Sequence, residues 1–381
     1  MNMSHCHTVV IGGGPAGCTA AAELAAAGVE VILLEKERLP RHKCCANGLT
    51  RNALALLPDG IKNLVRREVH TLVVESLDRD SITWTCPEPF MYTAPRTEVD
   101  WFLWRHAIAA GATAHEGTEV TEVEQEEDGV TVTTSEQTIH ARYVVAADGA
   151  RGRITRLLGY GPAGHIAAGI ALDVTGDRVR QTAVESAAKL ILGLGTGVYG
   201  WVFPQGEGSS IGIEIHWGTK DVDIKLAALL ESEGYTWSHV VRRSAHPIPS
   251  LPGSHGLGTG RVLVAGDAAA LAHPLTGEGV RYAALSGKLA ARAILDEQSE
   301  NPAQAYSHLV HQEILPDLHA GADLLKTVTG KERFATTVAR HNRRIYDTFQ
   351  MLLAGDTTFS RATDHLGGLG RIAAFLSGAI R

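Results

Sequence analysis

The sequence predicts an α/β and α+β architecture. It has a doubly wound nucleotide-binding part around a parallel sheet, an antiparallel β part interleaved with it, and a helical C-terminal region. Three observations predict this. Short continuous apolar runs end in Gly or Asp at VVIGGGPAG (9–17), VVAADGAR (144–151) and VLVAGDAAALAHPLTGEG (262–279), as in strands covered on both faces. Between 166 and 216 apolar and polar residues alternate, as in a sheet with one covered face. From 302 to 381 the apolar residues recur with helical spacing.

The chain has 381 residues, 44% of them hydrophobic and 20% charged, which is too long for one small core. A net charge of -7 with dispersed basic residues argues against nucleic acid as a partner. Five cysteines, an odd number without framework spacing, predict a reducing compartment and no zinc site. The first apolar stretch is broken by Gly12, Gly13, Gly14 and Pro15 and has no basic segment before it, unlike a signal peptide. No apolar run reaches the roughly 18–20 residues of a membrane span. These features predict a cytoplasmic protein and leave peripheral membrane contact open.

Along the chain, 9–11 reads as a strand, 15–27 as an alanine-rich helix stopping at Gly28, and 29–34 as a second buried strand ending at Glu35. Residues 36–65 read as a long connection. Strands are predicted at 70–76 and 81–86, a helix at 100–110, then strands at 116–124, 129–134 and 143–147. The alternating region divides into strands at 167–174, 189–192, 198–203 and 209–216. A buried strand at 262–265 and a long helix over 277–295 follow. The remainder reads as amphipathic helix with one break at Gly355-Asp356. The organisation predicted is a discontinuous nucleotide-binding domain (1–68, 97–160 and 255–300), a β-sheet substrate domain (69–96 and 161–254) and a helical region (301–381).

Gly12-Gly13-Gly14-Pro15-Ala16-Gly17 has the G-x-G-x-x-G spacing between a strand and a helix. Gly12 permits the tight turn, Gly14 lets backbone approach a pyrophosphate, and Gly17 lets the helix pack closely on the strand. The helix start at Pro15 and Ala16 presents N–H groups and a positive dipole end. Glu35, at the end of the next strand, can accept both ribose hydroxyls of an adenosine and would repel a 2′-phosphate. The motif is therefore expected to hold FAD or NAD rather than NADP. Asp148-Gly149 closes a second buried strand, where a plain turn is the alternative. Gly266-Asp267 closes a third, with Asp267 placed to accept from a ribityl hydroxyl. Pro274 to Gly279 leads into the long helix, whose first N–H groups can hold a flavin carbonyl or a phosphate.

In this order the three segments resemble the FAD contacts of the para-hydroxybenzoate hydroxylase-like flavoproteins, over roughly residues 7–300. Two shorter segments are similar to geranylgeranyl reductases. Pro40-Arg41-His42-Lys43-Cys44-Cys45-Ala46-Asn47-Gly48-Leu49 matches P-R-x-K-x-C-G-G-G-L, with Ala46-Asn47 in place of two glycines. Tyr199-Gly200-Trp201-Val202-Phe203-Pro204 matches Y-G-W-V-F-P-K, with Gln205 in place of Lys. Tyr92 to Asp100 resembles R-x-x-F-D, with Arg96 near the flavin and Asp100 at a helix start. The resemblance implies FAD, with its adenine end on the first βαβ unit and its isoalloxazine near 267–280. It also implies contacts from Lys36, Cys45, Ala46, Val120 and Val280. Tyr199, Trp201, Phe203 and Pro204 are then expected to line the substrate cavity. Cys45, Tyr199 and Trp201 are the candidate catalytic residues.

No second G-x-G-x-x-G lies in strand–helix context. The resemblance implies an external electron donor, NAD(P)H or ferredoxin. The function expected is an FAD-dependent oxidoreductase that reduces carbon–carbon double bonds of a prenyl or other apolar substrate. An aromatic monooxygenase or halogenase is the alternative chemistry, and a flavin-binding redox sensor without turnover the non-enzymatic one. The 302–381 region is expected to be an interaction surface or a lid over a lipid cavity. No histidine cluster has metalloenzyme spacing.

Overall fold

The computed structural model describes residues 3–76, 81–175, 187–216, 218–254 and 256–367. Two large sheets organise it. The first is eight-stranded. Its parallel core runs, in spatial order, Val262–Val264, Thr138–Ala146, Met3–Ile11, Val31–Glu35 and Thr113–Glu116. Val9, Val10, Leu33, Val144, Val145 and Leu263 are fully buried there, as continuous apolar strands require when helices cover both faces. Helix Pro15–Ala26 follows the first strand directly and helix Val280–Leu295 packs against it. The approach is close at Gly287, where a Cβ would overlap the Ala16 carbonyl oxygen.

The second sheet is seven-stranded. In spatial order it runs Val240–Pro252, Pro162–Thr175, Gly208–His216, Tyr199–Gln205, Ala187–Leu192, Thr71–Ser76 and Ser81–Thr85. Strand alternation gives it two different faces. One packs Ile170, Leu172, Ile191, Val202, Ile211 and Ile213 against Leu226, Leu229 and Leu230 of helix Val222–Ser232. The other face looks into the centre of the molecule.

The C-terminal region is a succession of helices: Pro302–Glu313, Leu315–Val328, Glu332–His341, Arg343–Ala354 and Phe359–His365. The expected break at Gly355 is present, with φ of 78°. Further breaks fall before Pro316, at Thr329 to Lys331 and at Asn342. Asn342 caps the following helix by accepting from the Ile345 N–H at 3.1 Å. Residues 368–381 lie outside those described. The helices close over the edge strand Ser81–Thr85. Tyr346 Oη donates to the Thr83 carbonyl at 2.9 Å, and the Trp84 indole N–H donates to the Tyr346 carbonyl at 3.2 Å.

Several elements differ from the sequence expectation. The helix expected from residue 100 begins at Arg96, after Pro95, so Asp100 lies one turn inside it rather than at its start. The connection over 36–65 contains strand Gly48–Thr50 and helix Arg51–Leu56. That strand joins Met91–Thr93 and Arg67–Val69 in a small third sheet. Val240–Pro252, with Arg, His and three prolines, is an edge strand, the position where missing N–H donors are tolerated.

Candidate functional site

A cavity of about 870 Å³ lies between the two sheets and the C-terminal helices. All three glycine-and-acid segments reach it. At the first, Gly12 has φ of 109° and a Cβ on it would overlap the Ala147 carbonyl oxygen, while Gly14 faces open space. Gly17 does not line the cavity: a Cβ there would overlap the Gly12 carbonyl oxygen, so its bareness serves helix packing. Glu35 is 5% exposed. Its carboxylate accepts from the Gly13 N–H at 2.8 Å and the Glu37 N–H at 2.9 Å, and Arg41 approaches it at 3.4 Å. Lys36 and Val120 line the same end.

At the second segment, Asp148 is occupied by its own chain. It accepts from the N–H groups of Ile154 (2.8 Å) and Thr155 (3.3 Å) and from the Thr155 hydroxyl. It thus holds the first turn of helix Arg153–Leu157. Gly149, with φ of 80°, faces open space. At the third segment, Asp267 is 24% exposed on the cavity wall. Gly266, Gly277, Glu278, Gly279 and Val280 line the cavity, whereas Pro274 does not. The Glu278 carboxylate accepts from the Thr50 hydroxyl, which ties the turn to the small sheet. Burial pushes its carboxyl above the usual range.

The loop from Arg41 to Gly48 crosses between the sheets. Arg96, 7% exposed, is bound by Asp100, 0% exposed: Nε–Oδ1 is 2.9 Å and Nη2–Oδ2 is 3.2 Å. Burial alone would lower the Arg96 pKa, but the Asp100 carboxylate outweighs it and the guanidinium is held charged. Arg41 bonds the same carboxylate at 3.0 Å. Cys45 lines the cavity beside this pair, and Cys44 approaches the Gly169 carbonyl at 3.8 Å. Both departures from the motif pattern tie down this loop. Asn47 has φ of 62°, a conformation that Gly or Asn takes readily, and its Oδ1 accepts from the Arg96 N–H at 3.1 Å. The Gln205 side-chain amide donates to the Ala46 carbonyl at 3.0 Å, fixing the loop from the neighbouring strand.

Sequence reasoning did not identify His246. Its strand lies beside Gly169, and Lys43 Nζ hydrogen-bonds its Nε2. Its Nε2 also lies 3.5 Å from Asp267 Oδ2. Burial lowers the pKa of both Lys43 and His246. Burial alone would raise Asp267, but the His246 hydrogen bond and the Lys43 charge bring it below the usual carboxylate range. A chain of donors and acceptors thus runs from the loop to the third segment.

Tyr199, Trp201 and Phe203 line the cavity as their period of two requires; Pro204 has the opposite parity and does not. Trp201 is 6% exposed, lies over Gly212, and donates its indole N–H to the Ser210 hydroxyl at 3.2 Å. The wall continues through Leu72, Val74, Ile82, Trp84 and Leu190, and is closed opposite by Leu325, Val328, Phe349 and Leu353. Tyr199 Oη donates to Glu214 Oε2 at 2.8 Å. Among the described residues no group of three or more His, Cys, Asp or Glu is arranged to hold a metal ion, and no helix is long and apolar enough to cross a membrane.

Three loops at strand ends, two bare glycines facing open space and a long cavity fit an extended dinucleotide. Residues 5–207 match the FAD binding domain family, and the fold and site define an FAD-dependent oxidoreductase. The chain is 31% identical to the menaquinone reductase of Mycolicibacterium smegmatis, over 74% of this chain and 75% of that protein. It is 31% identical to digeranylgeranylglycerophospholipid reductase 1 of Methanopyrus kandleri, over 78% and 82%. A geranylgeranyl bacteriochlorophyll reductase-like protein from Thermoplasma acidophilum shares the fold with a TM-score of 0.81, at 20% identity over 97% of this chain and 100% of that one. The chain belongs to the geranylgeranyl reductase family of FAD-dependent oxidoreductases, and its cofactor is FAD.

Proposed function

We propose that the protein reduces carbon–carbon double bonds in a prenyl chain. The observation that carries this is the cavity: an apolar tunnel walled by one sheet face and the C-terminal helices, opening onto the loops that gather around the flavin site. The names of the relatives, which act on menaquinone and on geranylgeranyl chains, support the same substrate class. In this reading the discontinuous domain (1–68, 97–160 and 255–300) holds the cofactor and the β-sheet domain (69–96 and 161–254) receives the substrate.

In this reading Gly12, Gly14, Pro15 and Ala16 hold the pyrophosphate, Glu35 and Lys36 the adenosine, and Asp267 the ribityl chain. Backbone at Gly149 and at Gly277 to Val280 completes the cradle, with Ala46 and Arg96 across from it. When bound and reduced, FAD supplies hydride to one carbon of the double bond. An isolated alkene is a poor acceptor, so Trp201, Phe203 and Leu190 must hold it close and keep water out. Cys45 and Tyr199 stand at the reacting end. Reduction of the flavin itself is assigned to an external donor, NAD(P)H or ferredoxin.

The test is anaerobic photoreduction of the holoprotein followed by mixing with geranylgeraniol in detergent micelles. Reoxidation of the flavin with saturation of the chain is expected. A flavin that stays reduced under prenyl alcohols, but consumes oxygen when a phenol is added, would overturn the reading in favour of a monooxygenase. In the same assay a C45A rate equal to wild type would remove Cys45 from the reaction.

A further inference from the structure

Alkene reduction needs a proton as well as a hydride, and among the carboxyls that line the cavity Glu214 is buried beside the turn at Gly277. We propose that Glu214 is the proton donor and that Tyr199 positions it. The inference rests on the prenyl-reductase reading, because it takes the turn at Gly277 as the place of the isoalloxazine.

Glu214 lies on the interior strand Gly208–His216 of the seven-stranded sheet, directly across from Tyr199 on one side and Gly169 on the other. It is 5% exposed, yet it lines the cavity. Its Oε2 lies so close beneath the helix-opening turn that a Cβ on Gly277 would overlap it. The Tyr199 hydroxyl donates to that same oxygen, which leaves Oε1 as the oxygen to carry a proton. Burial raises the Glu214 pKa to about 7, against a smaller downward pull from the Tyr199 hydrogen bond. Of the other titratable groups on the surrounding elements, Glu278 is held by Thr50 and Arg281. His246 lies beyond Gly169 and is bonded to Lys43. His216 is two residues further along the strand, and Glu332 accepts from the Gly330 N–H at 2.8 Å.

The step balances. The alkene π bond and the Glu214 O–H bond break, and two C–H bonds form. Reduced flavin gives the hydride and is oxidised, and the carboxylate recovers its proton from water. Burial keeps the acid protonated near neutral pH, so a proton is available when hydride arrives, and the carboxylate left behind, disfavoured at that site, is readily reprotonated.

The experiment compares wild-type, E214Q and Y199F holoproteins, with an unchanged oxidised-flavin spectrum as the check on folding. Single-turnover reoxidation by geranylgeraniol is expected to fall by roughly 10²–10⁴-fold in E214Q. In wild type the rate should decline as pH rises through about 7. Y199F, which loses the bond that lowers the Glu214 pKa, should move that decline to higher pH. Independently of turnover, infrared titration of the oxidised protein should show a carboxylic C=O band that disappears through the same pH range and is missing in E214Q. Wild-type rates and pH profile in E214Q, or no such band, would remove Glu214 while leaving the reductase reading intact. A wild-type flavin that no prenyl alcohol reoxidises removes both.

Discussion

At the scale of single residues, the site combines buried charges that are paired with a buried carboxyl, Glu214, whose partner is a hydroxyl. Arg96 and Asp100 form the paired case, with Arg41 as a second partner. Removing one member strands a charge in a dry environment, so Asp100→Ala is expected to cost about 3–5 kcal/mol, measurable by urea unfolding. Glu214 has a hydroxyl for a partner instead of a cation. Its pKa is raised by burial from 4.5 to about 7, so the fold favours its protonated form. The stability it contributes is fully present below pH 4.5 and is lost as pH rises through about 7. The whole effect is about 3 kcal/mol. A stability profile from pH 4 to 9 should therefore be flatter in E214Q than in wild type, and equal slopes would contradict the assignment of the shift. Glu35, Gly12 and Gly14 were legible because they act within a few residues of a recognisable turn. Glu214 had a usable signal that was missed. The two-residue turn at Gly206-Glu207 pairs 205 with 208 and, counting outward, 199 with 214; such short hairpin turns set register.

At the scale of elements, the first helix illustrates how closely sequence and packing are matched. Its N-terminus can reach the cavity only because Gly17 lets it sit on the Gly12 carbonyl. Gly17→Ala puts a Cβ into that oxygen. It is expected to shift the helix and yield protein that purifies with little or no bound flavin, read from the visible spectrum. A full flavin complement in that variant would mean the helix is not seated by this contact. Apolar runs and glycine stops located the parallel strands correctly, because strands buried on both faces leave a strong local mark. The edge strand Val240–Pro252 left none: prolines and charges are what an edge tolerates and what a loop contains. The helix at Arg96 was placed one turn late because its cap comes from Asn47, almost fifty residues away in the chain.

At the scale of the whole molecule, the cavity belongs to no single element. It is enclosed by the first sheet's loops, one face of the second sheet and the C-terminal helices. In the proposed reading FAD reaches the loops that follow strands Met3–Ile11, Thr138–Ala146 and Val262–Val264, so its free energy of binding would add to global stability. At a free concentration one hundred times Kd this amounts to about 2.7 kcal/mol. Stripping the flavin should lower Tm, and titrating FAD back should raise it progressively. A Tm indifferent to FAD would place the cofactor outside the cooperative core.

The sequence by itself determined the FAD class, the parallel core and the aromatic wall at Tyr199 to Phe203, because each is written in contiguous residues with a fixed period or a fixed turn. Tertiary structure alone decided which polar groups share the cavity. Lys43, His246 and Asp267 are brought together across more than two hundred residues, and the Asp148 carboxylate is taken up by its own helix. Whether a side chain is a site or a structural tie depends on what else is packed within about 3 Å of its polar atoms, a distance in space that spacing along the chain does not encode.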